Sequence, residues 1–313
     1  MTLPKTPRET SEAPRKHLSR ENHADEASPR LCAKVIDECV ASPRSAGAAQ
    51  HVESSLIMPH LLPLEFERVD SSLRYLNLLH VLEICERLRE SLCKHCGDHG
   101  SDEPAGIRKR ANGRGSNKSN VRFIPLAVVG HSCADGRLLG MALALPHRVA
   151  PERRHCISTA LERIRKDGLK LGRCGSWRIQ PITSRRPSHN LLPETWTGQP
   201  QGATDWATVT PIALDHHVEA TDPATRRKET DAMIRLACRQ AGLPEPCEVI
   251  DTVVSAHFGV PPARAFPSFR EQGHARRHCH AILTFAEPVR GPILLGAGRH
   301  CGYGLCRPML DEA

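Results

Sequence analysis

The chain has 313 residues, a formal net charge of +8 and a sequence pI of 8.9. This length holds two small domains or one large one, and the positive charge favours an acidic partner such as nucleic acid. Aromatic residues make up only 4% of the chain, so a base-stacking platform built on several Phe or Tyr side chains is not expected. No apolar run is long enough to cross a bilayer, and no membrane partner is predicted.

The cysteine content indicates a reducing compartment rather than a disulfide scaffold. The 13 cysteines are scattered and odd in number, and no signal peptide is recognised, so we expect reduced thiols in a cytoplasmic protein. Cys93 and Cys96, with His99 close by, resemble half of a zinc site, but no second CxxC or HxxxH motif completes it. We therefore expect neither a metal ion nor another cofactor.

The N-terminal third is predicted to be a disordered segment followed by a helix and a linker. Residues 1–55 are rich in Pro, Ser, Arg and Glu without sustained periodicity, a composition typical of disorder. Residues 56–120 are predicted to contain a short extended piece over residues 60–67, one amphipathic helix and, over residues 102–120, a flexible basic linker. The apolar face of that helix is predicted at Leu78, Val81, Cys85, Leu88 and Leu92.

Two similar successions of strands and helices follow. Residues 121–204 are predicted to form a first ferredoxin-like unit, with strands and a helix in β-α-β-β order. Residues 205–313 repeat that order and add a short helix over residues 289–295, a glycine-rich loop and a last strand at Leu305–Pro308. The sequence therefore predicts an α+β fold of tandem ferredoxin-like (RRM-like) β-α-β-β-α-β units, the second more complete than the first.

Residues 287–308 hold the most distinctive pattern of the chain, five glycines interleaved with basic residues. The glycines are Gly291, Gly296, Gly298, Gly302 and Gly304. Glycine lets backbone N–H groups crowd around an anion, so this stretch could cradle a phosphate backbone. It matches neither the P-loop nor the dinucleotide-binding motif. A tight glycine turn closing a β-hairpin is the alternative, and it stays open.

Polar side chains gather near the ends of two predicted strands of the second unit. Strand alternation places Arg276, His278 and His280 on one face. Asp215 and His217 follow an earlier strand, and a carboxylate beside histidine suits acid–base chemistry near neutral pH. A strand that simply emerges into solvent gives the same pattern, so both interpretations stay open.

His131 is the one candidate in the first unit. It lies in the turn GHSCADG between two predicted strands, and loops at strand ends commonly hold catalytic residues. A side chain that only stabilises the turn is the alternative.

Several segments together resemble a known family. In order they are GHSCADGRLLGMALALP, WTG, WATVTPIALDHH, GVPPARAFP and HCHAILTFAEPVRGPILLGAGRHCGYGLCRP. They resemble the CRISPR-associated RAMP fusion of type I-G (formerly I-U) systems, the Csb family, which joins a Cas-five-like part that binds the crRNA handle to a Cas-six-like repeat endoribonuclease. The resemblance covers residues 123–308. The N-terminal part is shorter here than in that family, and DHHVE departs from its usual D-R-H-P-K.

The resemblance implies metal-independent cleavage of CRISPR repeat RNA. In that reaction the ribose 2′-OH attacks the adjacent phosphate, leaving a 2′,3′-cyclic phosphate and a 5′-OH. The candidate acid–base residues are His131, His217 and His280. The candidate RNA-binding residues are Arg276, Arg290, Gly296, Gly298, Arg299, Gly302 and Gly304.

The implied partners are repeat RNA or crRNA and the other subunits of a type I CRISPR effector complex. Some members of this superfamily bind RNA without cutting it, so a non-catalytic crRNA-binding subunit is the first alternative. A zinc-dependent hydrolase that uses the histidine-rich positions is the second.

Overall fold

A computed structural model describes most of the chain beyond residue 52. The described residues are 53–54, 57–70, 73–96, 121–146, 150–182, 184–218, 220–271 and 273–309. Nearly all of the segment predicted to be disordered, residues 1–55, and the whole predicted basic linker, residues 102–120, lie outside them.

Four α-helices lie within the described residues. They are α1 (Val81–Cys96), α2 (Pro151–Asp167), α3 (Glu194–Thr197) and α4 (Pro223–Gln240). The residues of the predicted apolar stripe on α1 are all buried: Val81, Cys85, Leu88 and Leu92. α4 begins at an N-cap, because the side chain of Asp222 accepts a hydrogen bond of 2.8 Å from the N–H of Thr225.

The first sheet is antiparallel and has five strands. In chain order the strands up to residue 181 are β1 (Glu53–Ser54), β2 (Ile57–Asp70), β3 (Arg122–Ala127), β4 (Leu138–Pro146), β5 (Leu169–Lys170) and β6 (Ser176–Pro181). All but β1 belong to this sheet, in the order β3-β4-β2-β6-β5. The succession β2-α1-β3-β4-α2-β6 is a complete β-α-β-β-α-β unit, as the predicted fold class requires.

The first unit differs from its predicted limits because β2 lies in the middle of its sheet. Leu64 of β2 pairs with Met141 on one side and with Pro181 on the other. The predicted short extended piece, residues 60–67, is thus part of a 14-residue central strand. The unit includes β2 and α1 and so begins before residue 121, its predicted first residue, and it is the more complete of the two units.

The second sheet contains most of the remaining strands. These are β7 (Ala203–Thr208), β8 (Ile212–Ala213), β9 (Glu248–Thr252), β12 (His278–Arg290), β13 (Ile293–Leu294) and β14 (Leu305–Pro308), while β10 (Arg270–Glu271) and β11 (His274–Ala275) form a separate hairpin. The sheet order is β1-β12-β7-β14-β13, and β8 and β9 also pair with β12. Only β1 runs parallel to its partner within this described sheet.

The second unit lacks the second helix of a complete β-α-β-β-α-β unit within its described residues. A turn precedes its last strand instead. β7, α4, β9 and β12 are followed by β13 and the glycine-rich turn, residues 296–304, and then by β14. The helix predicted over residues 289–295 is therefore wrong. Val289 and Arg290 end β12, and Ile293 and Leu294 form β13. Pro292 lacks an N–H for a helix, and the β-branched neighbours favour strand.

The two units meet along a buried interface that we call the seam. Its second-unit side is formed by the glycine-rich turn and by the loop over residues 253–269, and its first-unit side by α1, β3 and the turn after β3. The N–H of Gly130 donates to the carbonyl of Phe258 at 3.0 Å across it. Phe123 of β3 and Tyr303 of the glycine-rich turn belong to one continuous buried apolar cluster. The seam is thus apolar in its centre.

Candidate nucleic-acid interface

The glycine-rich turn is packed inside the seam. Its four glycines are all buried: Gly296, Gly298, Gly302 and Gly304. Gly302 and Gly304 have φ angles of +76° and +69°, which side-chain-bearing residues rarely adopt. A Cβ on Gly302 would lie 2.7 Å from a methyl carbon of Val81 on α1. Close packing and the left-handed backbone together require glycine here.

Several N–H groups of this turn already have acceptors within the protein. The N–H of Ala297 donates to the carbonyl of Ala213 at 2.8 Å, and that of Gly304 donates to the carbonyl of Pro211 at 2.9 Å. These donors are not available to an anion. The role of the four glycines in RNA binding stays a prediction, and the geometry gives them a packing role.

Replacing Gly304 with alanine is expected to destabilise the protein by about 2–4 kcal/mol, because the φ angle is strained and the new Cβ meets the backbone oxygen of Leu295. Urea unfolding followed by circular dichroism measures this loss. Gly273→Ala is the matched control, since Gly273 has a φ of +83° but no atom within 4 Å of its would-be Cβ. Gly273→Ala should lower the free energy of unfolding by only about 1 kcal/mol. Equal losses in the two variants would contradict the packing role.

Three arginines place positive charge along the seam: Arg89 of α1, Arg122 of β3 and Arg307 of β14. Arg122 and Arg307 are only 3% and 4% exposed, and Arg89 is largely buried. Within the described part of the chain, no carboxylate forms an ion pair with any of them. Buried charges are normally paired, so the seam carries positive charge that an anionic ligand could balance.

The guanidinium groups of Arg89 and Arg307 already have hydrogen-bond acceptors within the protein. The guanidinium of Arg89 donates to a backbone carbonyl of the glycine-rich turn and lies 5.4 Å from the ring centroid of Phe123. That of Arg307 donates to the carbonyl of Val129 and lies 5.9 Å from the ring centroid of Trp196. Both groups therefore also hold the two units together.

A group of polar side chains lies where β8 meets the start of β12. Ala213 of β8 pairs with His278 of β12, so the chain after β8 runs beside the chain before β12. This brings together Asp215, His217, Glu271, His274, Arg276 and Arg299, which we call the polar cluster. Of the predicted site residues, His217, Arg276 and Arg299 therefore lie in one place.

Two ion pairs order the polar cluster. A guanidinium nitrogen of Arg299 lies 3.4 Å from Asp215, and one of Arg276 lies 2.9 Å from Glu271. Burial raises the pKa of Asp215, and the Arg299 guanidinium opposes that rise. Arg299 is only 12% exposed in its side chain and Arg276 only 17%, so both are held in place rather than solvated.

The imidazoles of His217 and His274 lie at the exposed edge of the polar cluster. Their ring centroids are 6.3 Å apart and their planes are nearly perpendicular. Both side chains are exposed, so a substrate can reach them.

His280 is placed differently, because its ring is enclosed. It is fully buried, its Nε2 lies 3.0 Å from the carbonyl of Pro261 and its Nδ1 lies 2.9 Å from the hydroxyl of Thr208. Nε2 therefore donates to the carbonyl, and Nδ1 accepts from the hydroxyl. Burial lowers the pKa of His280 to about 4, so the ring is neutral at pH 7. This geometry fits a structural histidine that fixes the loop over residues 253–269.

His131 and Arg290 lie away from the polar cluster. His131 is exposed in the turn after β3, next to the hydrogen bond between Gly130 and Phe258. It follows the end of β3 opposite to Arg122, and a six-residue strand spans about 17 Å. Arg290 lies at the far end of the 13-residue strand β12 from the polar cluster. Their predicted roles stay predictions.

No group of three or more His, Cys, Asp or Glu side chains suited to a metal ion occurs within the described residues. His99, the third member of the predicted half-site with Cys93 and Cys96, lies outside them. No helix in the described ranges is long and apolar enough to cross a membrane.

Two residues of the site, Arg122 and His274, were not predicted from the sequence. Arg122 lies inside the apolar run VRFIPLAVV, and a lone arginine within a buried-strand pattern was a usable signal. His274 belongs to the β10–β11 hairpin, whose return towards β8 no local pattern indicates.

By its fold the chain is an α+β protein of two units, each built on a largely antiparallel sheet, joined through a seam that contains buried arginines. Residues 190–308 match the model of a family described as "CRISPR-associated protein, GSU0054 family". The match covers the second unit and the segment that leads into it, including α3. No curated protein matches the chain. A solved chain described as "CRISPR associated protein Cas6" is 12% identical with a TM-score of 0.36, over 79% of this chain and 98% of that chain, which is too distant to support an assignment.

Proposed function

We propose that this chain is a CRISPR-associated protein that binds CRISPR repeat RNA and cleaves it without a metal ion. The observation that carries the proposal is Arg122 of the seam, a buried arginine without a carboxylate partner among the described residues, which lies close to Arg299 of the polar cluster and so to its exposed histidine pair. The family match over residues 190–308 supports the CRISPR association. In this proposal the product crRNA stays with the protein in a type I effector complex.

RNA binding is assigned to the guanidinium groups of Arg122 in the seam and of Arg276 and Arg299 in the polar cluster. Phosphate groups of single-stranded RNA release counterions when arginines neutralise them, and this release favours binding at low salt. Arg276 and Arg299 are the predicted phosphate contacts that border the exposed part of the site. We assign phosphate binding to these guanidinium groups rather than to the glycine backbone, whose N–H groups at Ala297 and Gly304 already have acceptors.

Cleavage is assigned to His217 and His274. One imidazole removes the proton from the ribose 2′-OH, and the resulting oxyanion attacks the adjacent phosphorus. The bond from phosphorus to the 5′-oxygen then breaks, and the other imidazole, as imidazolium, gives that oxygen a proton. The products are a 2′,3′-cyclic phosphate and a 5′-OH, and DNA lacks the nucleophile. In this proposal Arg276 and Arg299 stabilise the negative charge that develops on the phosphorane.

A non-catalytic crRNA-binding subunit is the second candidate. The observation in its favour is that two of the histidines on β12 are already engaged, His280 with Pro261 and His278 with the carbonyl of Ala263 at 2.8 Å. Cleavage then depends on exposed histidines alone. This candidate requires RNA binding with the same salt dependence but no product.

The deciding experiment incubates the purified chain with end-labelled CRISPR repeat RNA in EDTA. A matched RNA carries 2′-deoxyribose at the cut site mapped with the first. We expect cleavage of the ribose substrate alone, with a cyclic phosphate on the 5′ product. Binding without cleavage would select the non-catalytic subunit, cleavage that EDTA abolishes would indicate a metal-dependent hydrolase, and no binding to either RNA would overturn the proposal.

A further inference from the structure

Arg122 has no structural explanation within the described protein. It lies on β3, where strand alternation puts it on the face opposite to Phe123, which packs under Arg89 of α1. Its side chain is 3% exposed, and its Nη1 has no hydrogen-bond partner among the described residues. Arg89 and Arg307 donate to carbonyls, so Arg122 differs from the other two seam arginines. An unpaired buried guanidinium destabilises the empty protein.

The charged neighbour of Arg122 is another arginine. Burial, and then the nearby Arg299 guanidinium, lower the pKa of Arg122 to about 9. Asp215 pairs with Arg299 at 3.4 Å and forms no ion pair with Arg122. Arg299 also donates to the carbonyl of Gly296 at 2.6 Å, so the uncompensated positive charge of the two is that of Arg122. Such a pair is typical of a site for an oxyanion.

We propose that Arg122 and Arg299 form a binding site for a phosphate-type oxyanion. Planar guanidinium groups match two oxygens of such an anion, and the unused Nη1 of Arg122 gains an acceptor when the anion is bound. The anion is either a phosphodiester of bound RNA or free phosphate. The RNA source rests on the proposed function, whereas the site itself does not.

The test replaces Arg122 with methionine, which matches the unbranched stem of the side chain and removes the guanidinium group with its charge. Without ligand, the melting temperature of Arg122→Met should equal or exceed that of the unchanged protein, because an unpaired buried charge is gone. At matched ionic strength, 10 mM phosphate should raise the melting temperature of the unchanged protein by about 2–4 °C over chloride. This rise should be lost in the variant.

The same variant tests the RNA source. Its affinity for repeat RNA should fall about tenfold at fixed salt, and the slope of log K against log salt should decrease by about 1. Arg89→Met is the control, because it removes a cation that already has an acceptor in the glycine-rich turn. That control should lower the melting temperature without phosphate, and it should keep the phosphate-induced rise.

The outcomes separate this site from the proposed function. A lower melting temperature of unliganded Arg122→Met would show that Arg122 has a structural partner, and would overturn the inference. If Arg122→Met changed neither the phosphate response nor the affinity for repeat RNA, the inference would also be overturned. The proposed function would still stand in that case, because the protein would still bind RNA. If the chain binds no RNA but loses its phosphate response with Arg122, the oxyanion site stands and the RNA function fails.

Discussion

His217→Ala is expected to slow repeat-RNA cleavage by about 10²–10⁴-fold while RNA affinity changes by less than about threefold. One positioned acid or base contributes a factor of this size, whereas a single exposed side chain adds little to the binding of a long RNA. The ring stands 6.3 Å from that of His274, so His274→Ala should cause a loss of the same order. Single-turnover rates with saturating protein measure both losses without a contribution from binding.

The double variant and a distant histidine make this expectation specific. Because the two imidazoles act in one reaction, His217→Ala with His274→Ala should cost far less than the product of the single losses. His131→Ala is the control, since His131 lies in the turn at the other end of β3, and its rate should stay within about twofold. Loss of cleavage in His131→Ala alone would contradict the assignment to His217 and return the role to His131.

The fold could be predicted as far as local patterns reached. Periodicity located the apolar stripe of α1, and the cap at Asp222 located the start of α4. Local patterns could not show that β2 fills the centre of the first sheet. Its pairing with β4 and β6 joins residues that are more than 70 positions apart in the chain. The helix predicted over residues 289–295 failed because its apolar residues suit a short strand equally well.

The candidate site could be predicted only in part for a similar reason. Strand alternation correctly put His278 and His280 on one face, but it could not show that backbone carbonyls enclose both rings. Arg299 was singled out by its glycine-rich surroundings, yet its neighbour Arg122 comes from the other unit. Residues that the seam brings together share no local pattern, so only the packing of the two units reveals them.

The second large effect expected is a loss of stability in mild acid through two enclosed histidines, His280 and His257. His257 lies in the loop over residues 253–269, and its Nε2 is 3.3 Å from the carbonyl of Arg307. Burial lowers the pKa of both side chains to about 4, whereas the usual value is 6.5. Between these values the unfolded chain binds protons that the folded protein excludes. Stability is therefore full above pH 6.5 and falls as the pH drops towards 4, by roughly 2–3 kcal/mol for each histidine.

Urea unfolding at pH 7.0, 6.0, 5.0 and 4.5 measures this loss of stability. Protonation of Asp and Glu side chains contributes to the loss only at the lowest of these pH values. His280→Asn should be less stable at pH 7, because its contacts with Pro261 and Thr208 are lost, but its stability should fall less steeply with acid. His131→Ala, which removes an exposed imidazole, should retain the steep fall. The enclosed geometry of His280 requires this difference in slope. If His280→Asn and the unchanged protein lost stability in parallel down to pH 5, the ring would be open to protons in the folded state, and His280 would again be a candidate for acid–base chemistry.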